Sequence, residues 1–213
     1  MEAYTTIEGR AVAEIEEKKS RFIASVAHVE TEEEALAFLE EIRAANRMAR
    51  HNVYAYVLRS ADGAGTGGER VRYSDDGEPQ KTAGLPTLEV IRHAGLTDIA
   101  VVVTRYFGGV LLGTGGLVRA YPQATQAGIA AARQVTVSRC VDVELRLPYS
   151  AYEQVKRLVL DSGAKVADER FADEVTLTAR MLDGAQDAFA VKLSELMHGR
   201  ERATFGEPFD AVF

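Results

Sequence analysis

Val101-Val102-Val103-Thr104-Arg105-Tyr106-Phe107-Gly108-Gly109-Val110-Leu111-Leu112-Gly113-Thr114-Gly115-Gly116 occupies residues 101–116. Its β-branched opening reads as the centre of a strand over residues 98–106. The glycines then break the strand. A helix follows over residues 117–133, where Pro122 removes a backbone donor and predicts a kink or a late start. A strand, a glycine loop and a helix in that order make this part of the chain mixed α and β.

Working back toward the N-terminus, residues 12–16 and 21–29 read as short strands around the polar insert Glu17-Lys18-Lys19-Ser20. Thr31 and Glu34 form a capping-box pattern at the start of a helix that runs to about Ala49. Residues 52–58 read as a strand rich in Val and Tyr. Residues 60–87 carry Gly63, Gly65, Gly67, Gly68, Gly77 and Gly84 with Pro79 and Pro86, and read as a long loop. Its first half, residues 60–69, has the composition of a flexible segment. A short helix over residues 87–94 is ended by Gly95.

Working forward, the composition resets near residues 134–140. Beyond it the order is strand (141–147), helix (150–162), two strands (164–171 and 174–181), helix (185–198) and a final strand within 203–213. That is β-α-β-β-α-β, the ferredoxin-like order. The boundary places one domain at residues 1–136 and a second at 137–213.

The 213 residues carry a net charge of −7, with 46% apolar and 27% charged residues. This is ordinary globular composition, which excludes wholesale disorder. No apolar run approaches the ~18 residues of a membrane-spanning helix. The sequence start, Met1-Glu2-Ala3-Tyr4, lacks the layout of an export signal, so the expected location is the cytoplasm. A single cysteine, Cys140, excludes an internal disulfide and a cysteine-based zinc cluster.

Neither half is basic: residues 1–136 hold 15 Lys and Arg against 18 Asp and Glu, and residues 137–213 hold 10 against 14. Yet residues 99–141 contain no acid while holding Arg105, Arg119, Arg133 and Arg139, and residues 42–59 are acid-free around Arg43, Arg47, Arg50 and Arg59. A locally positive face on an acidic chain points to an anion site.

The glycine loop is the first candidate for chemistry. Gly108, Gly109, Gly113, Thr114, Gly115 and Gly116 place bare backbone ahead of a helix, where free N–H groups favour an anion. Arg105 before the loop and Arg119 after it would add charge-assisted contacts. Thr114 stands where a P-loop needs Lys, and Val118 where a dinucleotide fingerprint needs its third Gly, so neither motif is met. The competing reading is a tight loop that lets strand and helix pack closely.

The second candidate is Asp75-Asp76-Gly77-Glu78. Three carboxylates around a glycine could hold a hard cation such as Mg²⁺. They could equally be a turn whose carboxylates accept local N–H groups. His28, His51, His93 and His198 are scattered, and His51, beside Arg50 and a strand, draws most interest. Cys140 falls in the presumed linker and reads as a plain thiol. Tyr54, Tyr56, Tyr73, Tyr106 and Phe107 could stack bases or serve as core. No catalytic residue is assigned.

Three blocks now resemble a known family: Lys18-Lys19-Ser20-Arg21-Phe22-Ile23-Ala24, residues 73–86 from Tyr73-Ser74-Asp75-Asp76-Gly77-Glu78-Pro79 to Thr82-Ala83-Gly84-Leu85-Pro86, and residues 102–121 through the glycine loop. In this order they resemble the YigZ/IMPACT family over about residues 1–135. The resemblance implies an α+β N-terminal domain like the second domain of a small-subunit ribosomal protein, with a C-terminal ferredoxin-like βαββαβ domain after it. It also implies a link to translation. Eukaryotic relatives restrain a starvation-activated initiation-factor kinase, but the appendage that binds their partner is not seen here, so kinase regulation is not carried over. Lys81, where the family often has Gly, and Pro122 depart from the pattern.

The expectation is a non-enzymatic, translation-associated binding or regulatory protein without a cofactor. RNA or ribosome phosphates would meet Arg105, the glycine loop and Arg119, with Arg72 and Lys81 contributing, and a translation-related protein partner is open. The alternatives are a Mg²⁺-dependent hydrolase or phosphoryl-transfer enzyme using Asp75, Asp76 and Glu78, and a protein–protein adaptor.

Overall fold

The computed structural model describes residues 3–59 and 68–213. Gly63, Gly65 and Gly67, with most of the segment read as flexible, lie outside them. The chain divides into two compact units, residues 3–136 and Val137–Phe213.

The first unit is built on β1 (Tyr4–Glu8), β2 (Arg10–Glu17), β3 (Ser20–His28), α1 (Glu32–Ala45), β4 (His51–Leu58), β5 (Arg70–Ser74), α2 (Gly84–His93), β6 (Ile99–Tyr106) and α3 (Thr114–Ala131). Five strands form an antiparallel sheet in the order β2-β3-β6-β4-β5. The valine run is its central strand. Strand periodicity sends Val101 and Val103 to one face and Ala100 and Val102 to the other. α1 covers the second face through Ala35, Phe38 and Leu39. α2 and α3 cover the first, where Leu88, Ile91, Ala120, Tyr121 and Ala124 meet Phe22, Ala24, Val53, Ala55 and the valines. Burial on both faces explains why residues 99–103 of β6 are continuously apolar.

Local chemistry sets the element ends. Thr31 Oγ1 accepts from Glu34 N–H at 3.1 Å, while the Glu34 carboxylate reaches back to Glu30 N–H at 2.7 Å. α1 stops at Ala45, short of the expected Ala49, because Asn46 donates from Nδ2 to the Ile42 carbonyl at 2.9 Å and competes with the helix ladder. β2 and β3 form a tight hairpin, with Glu17 opposite Ser20 and Lys18 and Lys19 both at positive φ (49° and 65°). That is the twist a two-residue hairpin turn needs. α3 starts at Thr114, so Pro122 sits inside it and does not delay it. The carbonyl that loses its partner belongs to Val118, which is exposed to water.

The second unit contains most of β7 (Arg133–Leu147), then α4 (Tyr149–Asp161), β8 (Lys165–Phe171), β9 (Val175–Leu182), α5 (Gln186–Met197), β10 (Arg202–Phe205) and β11 (Phe209–Val212). β9 lies between β7 and β8, and β10 and β11 pair with the other edge of β7, all antiparallel. This is the ferredoxin-like arrangement. The expected final strand is split at Gly206, whose N–H donates to Asp142 O at 2.9 Å. Cys140 is not in a linker: it is buried in β7 between Leu182 and Phe209, and burial raises its thiol above the ordinary range. No helix among the described residues is long and apolar enough to cross a membrane.

Candidate functional site

The glycine loop is two things at once. Gly108 lies flat on the β2–β3 hairpin: a Cβ there would stand 1.9 Å from Lys19 O and 2.5 Å from Ser20 N. Its N–H donates to Ser20 Oγ at 3.2 Å. Gly116 is closed in the same way by the Leu112 side chain at 2.8 Å. These two serve close packing. Gly109, Gly113 and Gly115 face open space, and Thr114 is exposed beside them. Gly113 is the N-cap of α3, and neither a side-chain cap nor an acid occupies its first turn.

The predicted cations separate. Arg119 is exposed on α3 and makes no ion pair among the described residues. Lys81 is exposed and gives its N–H to Asp75 Oδ2 at 2.8 Å. Arg72 lies on the α1 side of the sheet, where Nη1 donates to Glu32 Oε1 at 3.0 Å. The Tyr56 hydroxyl donates to that same oxygen at 2.6 Å. These two donors hold the Glu32 carboxyl below its usual range, the tyrosine contributing most. Burial, then Glu32, push the Tyr56 phenol up to about 12.

Arg105 is buried. Its Nη1 donates to Glu78 Oε1 at 2.7 Å, and the Tyr121 hydroxyl donates to the same oxygen at 2.8 Å. Burial and the adjacent Glu78 carboxylate raise the Tyr121 phenol far above its ordinary value. Nη1 of Arg105 is thus held from within. Its Nε, however, is buried without a partner among the described residues.

The three carboxylates do not converge. Asp75 Oδ1 accepts from Ala83 and Gly84 N–H at 3.1 and 2.8 Å, and so caps α2. Asp76 Oδ1 accepts from Arg43 at 2.9 Å and Oδ2 from Asn52 N–H at 2.6 Å. Glu78 points inward to Arg105. No group of three His, Cys, Asp or Glu among the described residues is placed to hold a metal ion.

Sequence reasoning missed what lies beside Arg105. A cleft of about 550 Å³ is lined by Met48, Arg50, His51, Arg105, Tyr106, Phe107 and Leu111. His51 and Arg105 are cross-strand partners in the β4–β6 register, so both rise from one face of the sheet. His51 Nδ1 is 2.8 Å from Asp76 O. A carbonyl can only accept, so Nδ1 carries the hydrogen. Gly77 sits at φ 85°, a conformation that favours glycine, and a Cβ there would make ordinary contact with the ring, 3.4 Å from Nδ1. The acid-free stretch around Arg50 and the position of His51 beside it are the signals in the sequence for this cleft. Of the aromatic residues, Tyr56 is core, Tyr106 donates to Asn46 Oδ1 at 2.8 Å, and Phe107 is 55% exposed.

Comparison with known proteins agrees with this architecture. The model of the Impact N-terminal domain matches residues 18–129, and that of a domain of unknown function, DUF1949, matches residues 145–200. IMPACT family member YvyE of Bacillus subtilis is 31% identical over 207 residues, 97% of this chain and 93% of its own. IMPACT family member YigZ of Escherichia coli is 36% identical over 185 residues, 85% of this chain and 87% of its own. A solved structure, reported only as that of a hypothetical protein, is 31% identical, covers 95% of this chain and 97% of its own, and superposes with a TM-score of 0.60. With both units matched and relatives aligned along nearly the whole length, the chain belongs to the IMPACT family.

Proposed function

We propose that this protein is a non-enzymatic, translation-associated regulator that holds phosphate groups of RNA on the outer face of its glycine loop. The observation that carries this reading is an asymmetry of charge. Asp75, Asp76 and Glu78 are each consumed by internal donors. Lys18 and Lys19, on the hairpin that Gly108 touches, are exposed and make no ion pair among the described residues. Arg119 on α3 is in the same position. An open backbone with unneutralised cations around it attracts a polyanion. The link to translation comes from family membership and the resemblance that introduced it.

The test is fluorescence anisotropy of labelled single-stranded RNA across a salt series. Binding weakens steeply with salt, and removing three phosphate contacts in Lys18→Ala/Lys19→Ala/Arg119→Ala lowers the log–log slope by about 2. Salt-independent association, or a triple variant that binds like the parent, overturns the reading.

A further inference from the structure

We propose that the cleft between Arg50, His51 and Arg105 is a binding site for a nucleotide through its terminal phosphate monoester. The first support is Arg105 itself. Only 9% of its side chain is exposed, Nη1 is fixed on Glu78, and Nε is buried with no acceptor. A buried charged donor left unmade is uncommon in native structures and calls for an explanation. Its guanidinium carbon is 5.5 Å from the Phe22 ring centre and 5.8 Å from that of Phe107, which keep it in place. Arg105 also lines the cleft, so an oxyanion seated there meets a guanidinium whose charge Glu78 balances from the other side.

The second support is His51. Its Nδ1–H is spent on Asp76 O, so Nε2 is the ring atom left for a ligand, and it has no partner among the described residues. A singly protonated phosphate monoester carries an O–H that can donate to the Nε2 lone pair. That hydrogen lies between phosphate oxygen and Nε2, the ring atom that Asp76 leaves free. An internal phosphodiester has no such proton to share. Arg50, exposed at the rim and without an ion pair among the described residues, supplies the second full positive charge. The third support is the apolar wall. Met48, Phe107 and Leu111 are 87%, 55% and 82% exposed on the same cleft, and suit a base or sugar face. A volume of about 550 Å³ is of the size that takes one small ligand.

A free nucleoside monophosphate and the 5′ end of an RNA share this chemistry. The full chain is titrated calorimetrically with adenosine and uridine 5′-monophosphates and with the two nucleosides. In parallel, one RNA hexamer is compared with a 5′-phosphate and with a 5′-hydroxyl. The monophosphates bind, the nucleosides do not, and Arg50→Ala and His51→Ala each weaken binding about tenfold. If a 5′ end is the ligand, the phosphorylated hexamer binds at least tenfold more tightly than the other. If the hexamers bind alike while the monophosphates bind through Arg50 and His51, the ligand is the free nucleotide. Arg50 is exposed, so its variant keeps the test sound should His51→Ala lose stability. Monophosphates that fail to bind, or that bind Arg50→Ala and His51→Ala as they bind the parent, overturn the proposal. Salt-sensitive binding of both hexamers in that case leaves the RNA surface reading standing, and loss of RNA binding alone removes only that reading.

Discussion

Arg105 donates to Glu78 at 2.7 Å from a position where only 9% of one side chain and 4% of the other is exposed. Tyr121, fully buried, donates to the same carboxylate oxygen from α3. The three side chains join the end of β6, the turn after β5 and α3. Removing one partner of such a pair leaves a buried charge without compensation, which costs about 3–5 kcal/mol. Glu78→Ala is therefore expected to lose stability of that order in urea unfolding. Tyr121→Phe removes one donor from a charged acceptor and costs about 1.5–3 kcal/mol. A Glu78→Ala protein within about 1 kcal/mol of the parent contradicts this account, since that is the scale of an exposed pair.

Gly108 and Gly115 belong to one glycine run but make opposite predictions. Gly108→Ala drives a methyl into the Lys19 carbonyl and must move the hairpin. Overpacking of this kind costs about 1–3 kcal/mol. Gly115, in the first turn of α3, has nothing within 4 Å of a built Cβ. Gly115→Ala is expected to be neutral or to stabilise by up to about 1 kcal/mol, as alanine does over glycine in a helix. Thermal melts of the two variants side by side check the contrast. Equal effects contradict the division of the loop into a packed part and an open part.

Asp75 gives a third prediction. Its carboxylate takes the N–H groups of Lys81, Ala83 and Gly84, where α2 begins without a cap from its own N-cap residue. Asp75→Ala strands three donors and is expected to cost about 2 kcal/mol, the upper end for loss of a cap. Asp75→Asn keeps one acceptor oxygen and should recover part of it. If urea midpoints of Asp75→Ala and the parent coincide, water satisfies these donors equally well.

These contacts also explain what the sequence could and could not disclose. The valines of β6 were legible because burial on both faces leaves a continuous apolar signal. The ferredoxin-like order was legible because its elements alternate with clear turns. β5 was hidden inside the long loop, since Arg70-Val71-Arg72-Tyr73-Ser74 is an exposed edge strand with little apolar pattern. The sequence pattern starts α2 three residues late, because its start is set by Asp75, nine residues before Gly84. The candidate site suffered most. Arg105, Arg119, Arg72 and Lys81 share a charge in the sequence, but only a β-sheet register decides that Arg105 stands beside His51 while Arg72 stands beside Tyr56.

Tyr56 and Glu32 supply a prediction with a sign. The phenol is raised to about 12, first by burial and then by its bond to Glu32, while Arg72 opposes the shift. A free tyrosine ionises near about 10. The folded protein thus holds this proton more tightly than the unfolded chain. The resulting stability is complete below about pH 10 and is lost as pH rises toward about 12. At the acid side the same bond works in reverse. The Glu32 carboxyl is held low by the Tyr56 hydroxyl and then by Arg72, so its contribution is present above the ordinary glutamate range and disappears as pH falls through the lowered value. The difference between ultraviolet alkaline titrations of the parent and of Tyr56→Phe isolates this one phenol among the eight tyrosines. It should ionise well after an ordinary tyrosine, and in Glu32→Gln, where the negative charge is gone, it should ionise earlier. In Tyr56→Phe, carboxylate NMR should show Glu32 titrating closer to its usual pH. A Tyr56 difference curve centred near pH 10 would mean that the bond between sheet and helix does not form in solution.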